Sequence, residues 1–221
     1  MDAIIDSATD FNAVNGASCS QCGEKYDIEG NLENGSAFLS DDPKEENYGK
    51  SLFKGREATD KVCFVLTNCF DVEFLYVDQQ ESLDDDVGAI FGFARPNESF
   101  AFGNSGTQLG NPNEMILTKL QESGEEPIFS TRFVRDFISW IDIGTPDLSQ
   151  NKEEPVTITN IPDFFWSMKM EGVRFGEKKE NAWTFSKMEE GAERNGGIYT
   201  IFDTGASNIY LSVLWFESFV E

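Results

Sequence analysis

The sequence has no histidine, only four cysteines and few basic residues: 17 Lys and Arg stand against 40 Asp and Glu, a net charge of −23. Without histidine there is no imidazole to act as general base, to partner a nucleophile or to bind zinc, so Ser-His and Cys-His mechanisms and His-ligated metals are excluded. The shortage of positive charge argues against nucleic acid and anionic membrane surfaces as partners, because both present like charge and must be met by a basic patch. No apolar run approaches the roughly 18 residues of a membrane-spanning helix. The opening Met1-Asp2-Ala3-Ile4-Ile5-Asp6 has neither the basic nor the apolar stretch of a secretory leader. Any hydrolytic chemistry in this chain falls to its carboxylates.

What is present is enough apolar material for a core. The 221 residues are 39% hydrophobic and 13% aromatic, with 20 Phe, and this content extends from end to end. The excess charge therefore reads as a solvated shell on a folded body rather than as disorder. Short apolar or alternating segments occur at 3–5, 61–66, 72–77, 89–94, 128–134, 137–143, 155–161, 166–175, 182–185 and 197–202. Gly, Asn, Asp and Pro clusters separate them, among them Asp41-Asp42-Pro43, 103–112 and Gly144-Thr145-Pro146. This spacing predicts an all-β body. Two helices are expected as well. Residues 114–124 carry Met115, Ile116, Leu117 and Leu120 on one side and stop at a Gly, and 212–220 bring Leu214, Trp215 and Phe219 within helical reach. The polar, proline-containing stretch 145–155 is the best linker and divides the chain into 1–150 and 151–221.

The cysteines fall in two close pairs. Cys19/Cys22 and Cys63/Cys69 suit two small disulfide loops in an oxidising compartment, and the two-residue gap of the first also fits a zinc knuckle. Sequons at Asn34-Gly35-Ser36 and Asn97-Glu98-Ser99 are compatible with secretion. The acidic runs Glu45-Glu46 and Asp84-Asp85-Asp86 lack the alternating pattern of a calcium loop and read as solvated loops.

The feature that carries chemistry is Ile201-Phe202-Asp203-Thr204-Gly205-Ala206-Ser207, in which a hydrophobic strand delivers an Asp followed by a hydroxyl residue and a Gly. A degenerate copy stands near the start, Ile4-Ile5-Asp6-Ser7-Ala8-Thr9. Two strand-borne carboxylates on either side of a linker resemble the paired motifs of the pepsin-like aspartic proteases, family A1. Other segments follow that family's order. Cys19-Ser20-Gln21-Cys22 is similar to its small disulfide loop, and Tyr48-Gly49-Lys50-Ser51 to the tip of its flap hairpin, with Asp60-Lys61-Val62 on the return strand. Residues 87–96, containing Ile90-Phe91-Gly92, are similar to the strand that supports the first Asp, and the Trp166 segment precedes the second.

The resemblance implies a bilobal pepsin-like acid protease fold, with an N-terminal lobe (1–150) nearly complete and a C-terminal lobe (151–221) truncated. It implies catalytic Asp6 and Asp203, with Ser7, Ala8, Thr9, Thr204 and Gly205 supporting them and Tyr48 and Gly49 in the flap. It further implies disulfides Cys19–Cys22 and Cys63–Cys69, no metal or cofactor, and a monomer acting on peptide or protein substrates in a secreted or lysosomal/vacuolar setting. Two carboxylates in hydrogen-bonding contact share one proton, so the pair needs neither imidazole nor metal.

Three positions depart from the family's pattern. Ala8 stands where Gly is usual, and its methyl is expected to crowd the bound water at a cost of about 1–3 kcal/mol. Ala206 removes a hydroxyl beside Asp203. Ala13 replaces a Trp that normally anchors the flap tyrosine, so Tyr48 is expected to be less well held. These departures make a non-catalytic peptide-binding homologue the alternative reading.

Overall fold

A computed structural model describes residues 1–65, 68–81, 87–95, 115–132, 140–146, 148–150, 153–160, 166–170, 172–174, 182–184, 198–206 and 208–210. The described chain is mostly strand, as the spacing of its apolar segments predicts. A six-stranded sheet occupies the first part. Its strands β1 (Ala3–Asp6) and β2 (Ala13–Asn15) follow each other in sequence, yet β6 (Ala89–Gly92) lies between them. β6 runs parallel to β1, with Asp6 opposite Gly92, and antiparallel to β2. The chain from Ser7 to Asn12 therefore has to arch across the end of β6. Gly92 makes the crossing possible: a methyl there would meet the carbonyl oxygens of Thr9 at 2.5 Å and Phe11 at 2.6 Å.

Beyond β2 the sheet continues through β5 (Asn68–Glu81), β4 (Ser51–Val65) and β3 (Phe38–Tyr48). β3 and β4 form a hairpin whose tip turns at Gly49, with φ of 58°, between the paired residues Tyr48 and Ser51. At the other end of β4 the facing pair Cys63 and Cys69 is joined in a disulfide, and Cys19–Cys22 forms a second. Both cysteine pairs thus lie at disulfide distance, the first of the two readings that their spacing allows.

Alternation along β5 divides the core. Leu75 and Val77 face Phe11, Ala13, Phe53 and Ile90 on one side of the sheet. Phe74 and Tyr76 face Val14, Ile28, Ala58 and Ala89 on the other. A third cluster forms where α2 (Ile116–Glu122) buries Ile116, Leu117 and Leu120 against Val72 and Phe93. The four apolar residues predicted for this helix, Met115 included, are all buried, and Gly124 follows it with φ of 87°. Phe64, Phe129, Ile141, Ile143 and Trp166 pack onto the same cluster. The remaining strands pair antiparallel: β7 (Phe129–Arg132) with β8 (Trp140–Ile143), β9 (Ser167–Met170) with β12 (Ile198–Ile201), and β10 (Gly172–Arg174) with β11 (Ala182–Thr184).

Three expectations need correction. Glu45-Glu46, read as a solvated loop, lies within β3 opposite Lys54 and Phe53, and Glu46 is buried. Asp41-Asp42-Pro43 is no turn but part of β3, where the register shifts between Leu39 and Pro43. β3 is the sheet's edge, so a proline lacking an N–H costs no ladder bond on its outer side. Residues 155–160, read as part of a strand, have no regular structure, and Val156 and Ile158 are exposed. Alternation makes a strand only where a neighbouring strand offers its backbone. The five-residue α1 (Glu29–Glu33) carries no apolar period of its own and was not expected. The predicted helix 212–220, the run at 84–86, the loop 103–112 and the sequon at Asn97 lie outside the described residues.

Candidate active site

The end of β1 delivers Asp6 to the interior, where it is 3% exposed, and the chain leaving β12 brings Asp203 to the same place. Their turns are joined by a reciprocal exchange of hydrogen bonds. The Ser7 N–H donates to Thr204 Oγ1 at 3.0 Å, and the Thr204 hydroxyl donates to the carbonyl of Ile5, the residue before Asp6. In mirror fashion the Thr204 N–H donates to Ser7 Oγ at 3.0 Å, and the Ser7 hydroxyl donates to the carbonyl of Phe202, the residue before Asp203, at 2.7 Å. Only a group that is donor and acceptor at once can fill either position, which is why each Asp is followed by a hydroxyl residue.

The surroundings of the two carboxyl groups differ. Asp6 Oδ1 accepts the Ala8 N–H at 2.7 Å, and Oδ2 accepts the Thr9 hydroxyl at 2.9 Å. Asp203 Oδ1 accepts the Gly205 N–H at 2.9 Å, and its carboxyl shares a hydrogen bond with Asp6. At Ala206 only the backbone is available as a donor, so Asp203 lacks the hydroxyl that Thr9 supplies to Asp6. Desolvation in the turn, followed by the negative charge of Asp6, raises the Asp203 carboxyl above its ordinary value of 3.8, although one side of the residue is open to solvent. Desolvation and the neighbouring charge thus favour the pair's proton on Asp203.

Gly205 lies directly against this pair. A methyl group on it would run into the Asp6 carboxylate and meet the Tyr48 hydroxyl at 2.7 Å. The corresponding Ala8 on the other turn is half-buried with its N–H bonded to Asp6. Gly205→Ala is therefore expected to force the two turns and the hairpin tip apart and to lower the melting temperature, whereas Ala8→Gly leaves that contact in place; thermal unfolding of the two variants checks both.

The same contact places the hairpin tip over the dyad, with the Tyr48 hydroxyl beside Gly205. Tyr48 is better anchored than the Ala13 substitution implied. Its ring meets Phe11 edge-on, with centroids 6.4 Å apart, and lies 6.1 Å from Phe53. Phe11 and Phe53 are both buried and pack with Ala13 itself. Neither stood out as a site residue, because neither adjoins Tyr48 in sequence. Ser7, Asp203 and Thr204 also line one side of a cavity of about 600 Å³ whose apolar wall includes Phe129, Trp166 and Phe202. Asp6, Ser7, Ala8, Thr9, Asp203, Thr204, Gly205 and Tyr48 thus lie together, while Cys19 and Cys22 pack in the apolar cluster that also holds Tyr48, and Cys63–Cys69 closes the far end of β4 and β5. No family model matches the chain, and no curated protein matches it.

Proposed function

We propose that the chain is an aspartic endopeptidase of the pepsin type, with residues 1–150 in one lobe and 151–221 in the second. The observation that carries this reading is the reciprocal hydroxyl exchange between the Ser7 and Thr204 turns, which holds two carboxyl groups in hydrogen-bonding contact. In the proposed reaction Asp6 takes a proton from a water bound between the pair as the water oxygen bonds to the scissile carbonyl carbon, and Asp203 gives its proton to the carbonyl oxygen. The resulting tetrahedral diol collapses as the C–N bond breaks, Asp6 passing its proton to the leaving amine and one diol hydroxyl returning a proton to Asp203. The hairpin carrying Tyr48 closes over the bound peptide. Two disulfides fit an oxidising compartment, and we place the protein in a secreted or lysosomal/vacuolar setting.

The test is hydrolysis of an unfolded protein at about pH 4, inside the range in which such a carboxylate pair holds a single proton. Cleavage is expected, together with inhibition by a pepstatin-type peptide carrying a secondary hydroxyl in place of the scissile bond. Absence of cleavage, or cleavage indifferent to that inhibitor, would overturn the reading.

Ala206→Thr offers a finer check. A hydroxyl donor to Asp203 favours its charged form and lowers its proton affinity. The pH–rate profile of the variant is therefore expected to move to lower pH than that of the wild type. An unmoved profile would show that this position does not set the pair's titration.

A further inference from the structure

We propose that Trp166 is a positioning residue for the carboxylate pair, closing a ring of hydrogen bonds that ties the two Asp turns together through one bond of their hydroxyl exchange. This inference rests on the dyad reading. The ring starts at Asp6, whose carbonyl accepts the Phe93 N–H at 2.7 Å. The Phe93 carbonyl accepts the indole Nε1–H of Trp166 at 2.8 Å, and the Trp166 carbonyl accepts the Phe202 N–H at 2.9 Å. The Phe202 carbonyl accepts the Ser7 hydroxyl, and Ser7 adjoins Asp6. A single residue thus touches the strand behind the first carboxylate with its side chain and the strand leading to the second with its backbone.

The indole is donor-only, so the direction of its bond is determined. Its ring plane is determined by neighbours: Phe129 meets it edge-on at 5.6 Å, and the Arg95 guanidinium lies 5.7 Å from its centroid. Phe129 in turn meets Phe93 edge-on at 5.1 Å, so the residue that accepts the indole bond is held by the same aromatic group. With this side of the ring open, the two turns would remain joined only through Ser7 and Thr204 and could hinge about them, drawing the carboxyl groups apart.

Trp166→Phe keeps an aromatic ring and removes the donor. The readout is the titration of Asp203 followed by carboxyl carbon NMR, together with kcat and KM on an unfolded protein substrate. Among the described residues, the titratable groups facing Asp203 are Asp6 and, across Gly205, the Tyr48 hydroxyl. Separation from Asp6 and entry of water both favour the charged form. The Asp203 midpoint is thus expected to fall toward 3.8 in the variant, with kcat reduced about tenfold or more and KM within about twofold. Ile141→Val, in the same apolar cluster but outside the ring, controls for lost packing and is expected to leave the midpoint in place. An unchanged midpoint in Trp166→Phe, or an equal change in Ile141→Val, would overturn the positioning role. A wild-type protein that cleaves no peptide while showing the Trp166-dependent shift would remove the protease reading and uphold the positioning.

Discussion

Asp203→Asn is expected to reduce peptide hydrolysis by about 10³-fold or more, and at the same time to make the protein more stable at neutral pH. The first effect follows from the proposed reaction, in which Asp203 hands its proton to the scissile carbonyl while sharing a hydrogen bond with Asp6. The second follows from linkage. Asp203 binds its proton more tightly in the folded protein than its ordinary value of 3.8 implies. The corresponding stabilisation is fully present below pH 3.8 and is lost as pH rises through the higher folded value. Asn mimics the protonated acid at every pH: it accepts the Gly205 N–H through its oxygen and donates to Asp6 through its amide. Melting temperatures of wild type and variant should therefore converge at about pH 3 and separate at pH 7, with the variant higher. The reverse order at pH 7 would mean that Asp203 is not disfavoured as a carboxylate, and the proton assignment would fall with it.

Thr204→Val is expected to be the most disruptive single change outside the carboxylates. It removes the acceptor of the Ser7 N–H and the donor to the Ile5 carbonyl while keeping the branched shape. Each orphaned, part-buried group costs about 1–3 kcal/mol, so the variant should lose roughly 2–4 kcal/mol in denaturant unfolding. Hydrolysis should fall with it, because the two turns are no longer held in register. Thr204→Ser should retain most of both, since Ser7 already fills the mirror position with a serine hydroxyl. Equal losses in Val and Ser would show that packing, not the hydroxyl, joins the turns.

The parts of the site readable from sequence are those encoded by neighbouring residues. Each Asp is followed immediately by the hydroxyl that reaches the opposite turn, and the tip of the hairpin is marked by Tyr48 and the positive φ at Gly49. The buried side of α2 follows from helical spacing. Where alternation misled, at residues 155–160, no strand pairs with the segment among the described residues. At Pro43 the edge position makes proline tolerable.

The lack of histidine excludes imidazole chemistry, and the two Asp-hydroxyl turns stand in the sequence itself. Tertiary structure alone decided how that pair is built: β6 between β1 and β2, Tyr48 caged by Phe11 and Phe53, the unequal donors to Asp6 and Asp203, and Trp166 spanning the two turns. The division has a physical origin. Backbone preference and side-chain spacing act over a few residues, whereas the partners of Ser7 lie at Phe202 and Thr204. Contacts that distant depend on the path of the whole chain, which no local pattern specifies.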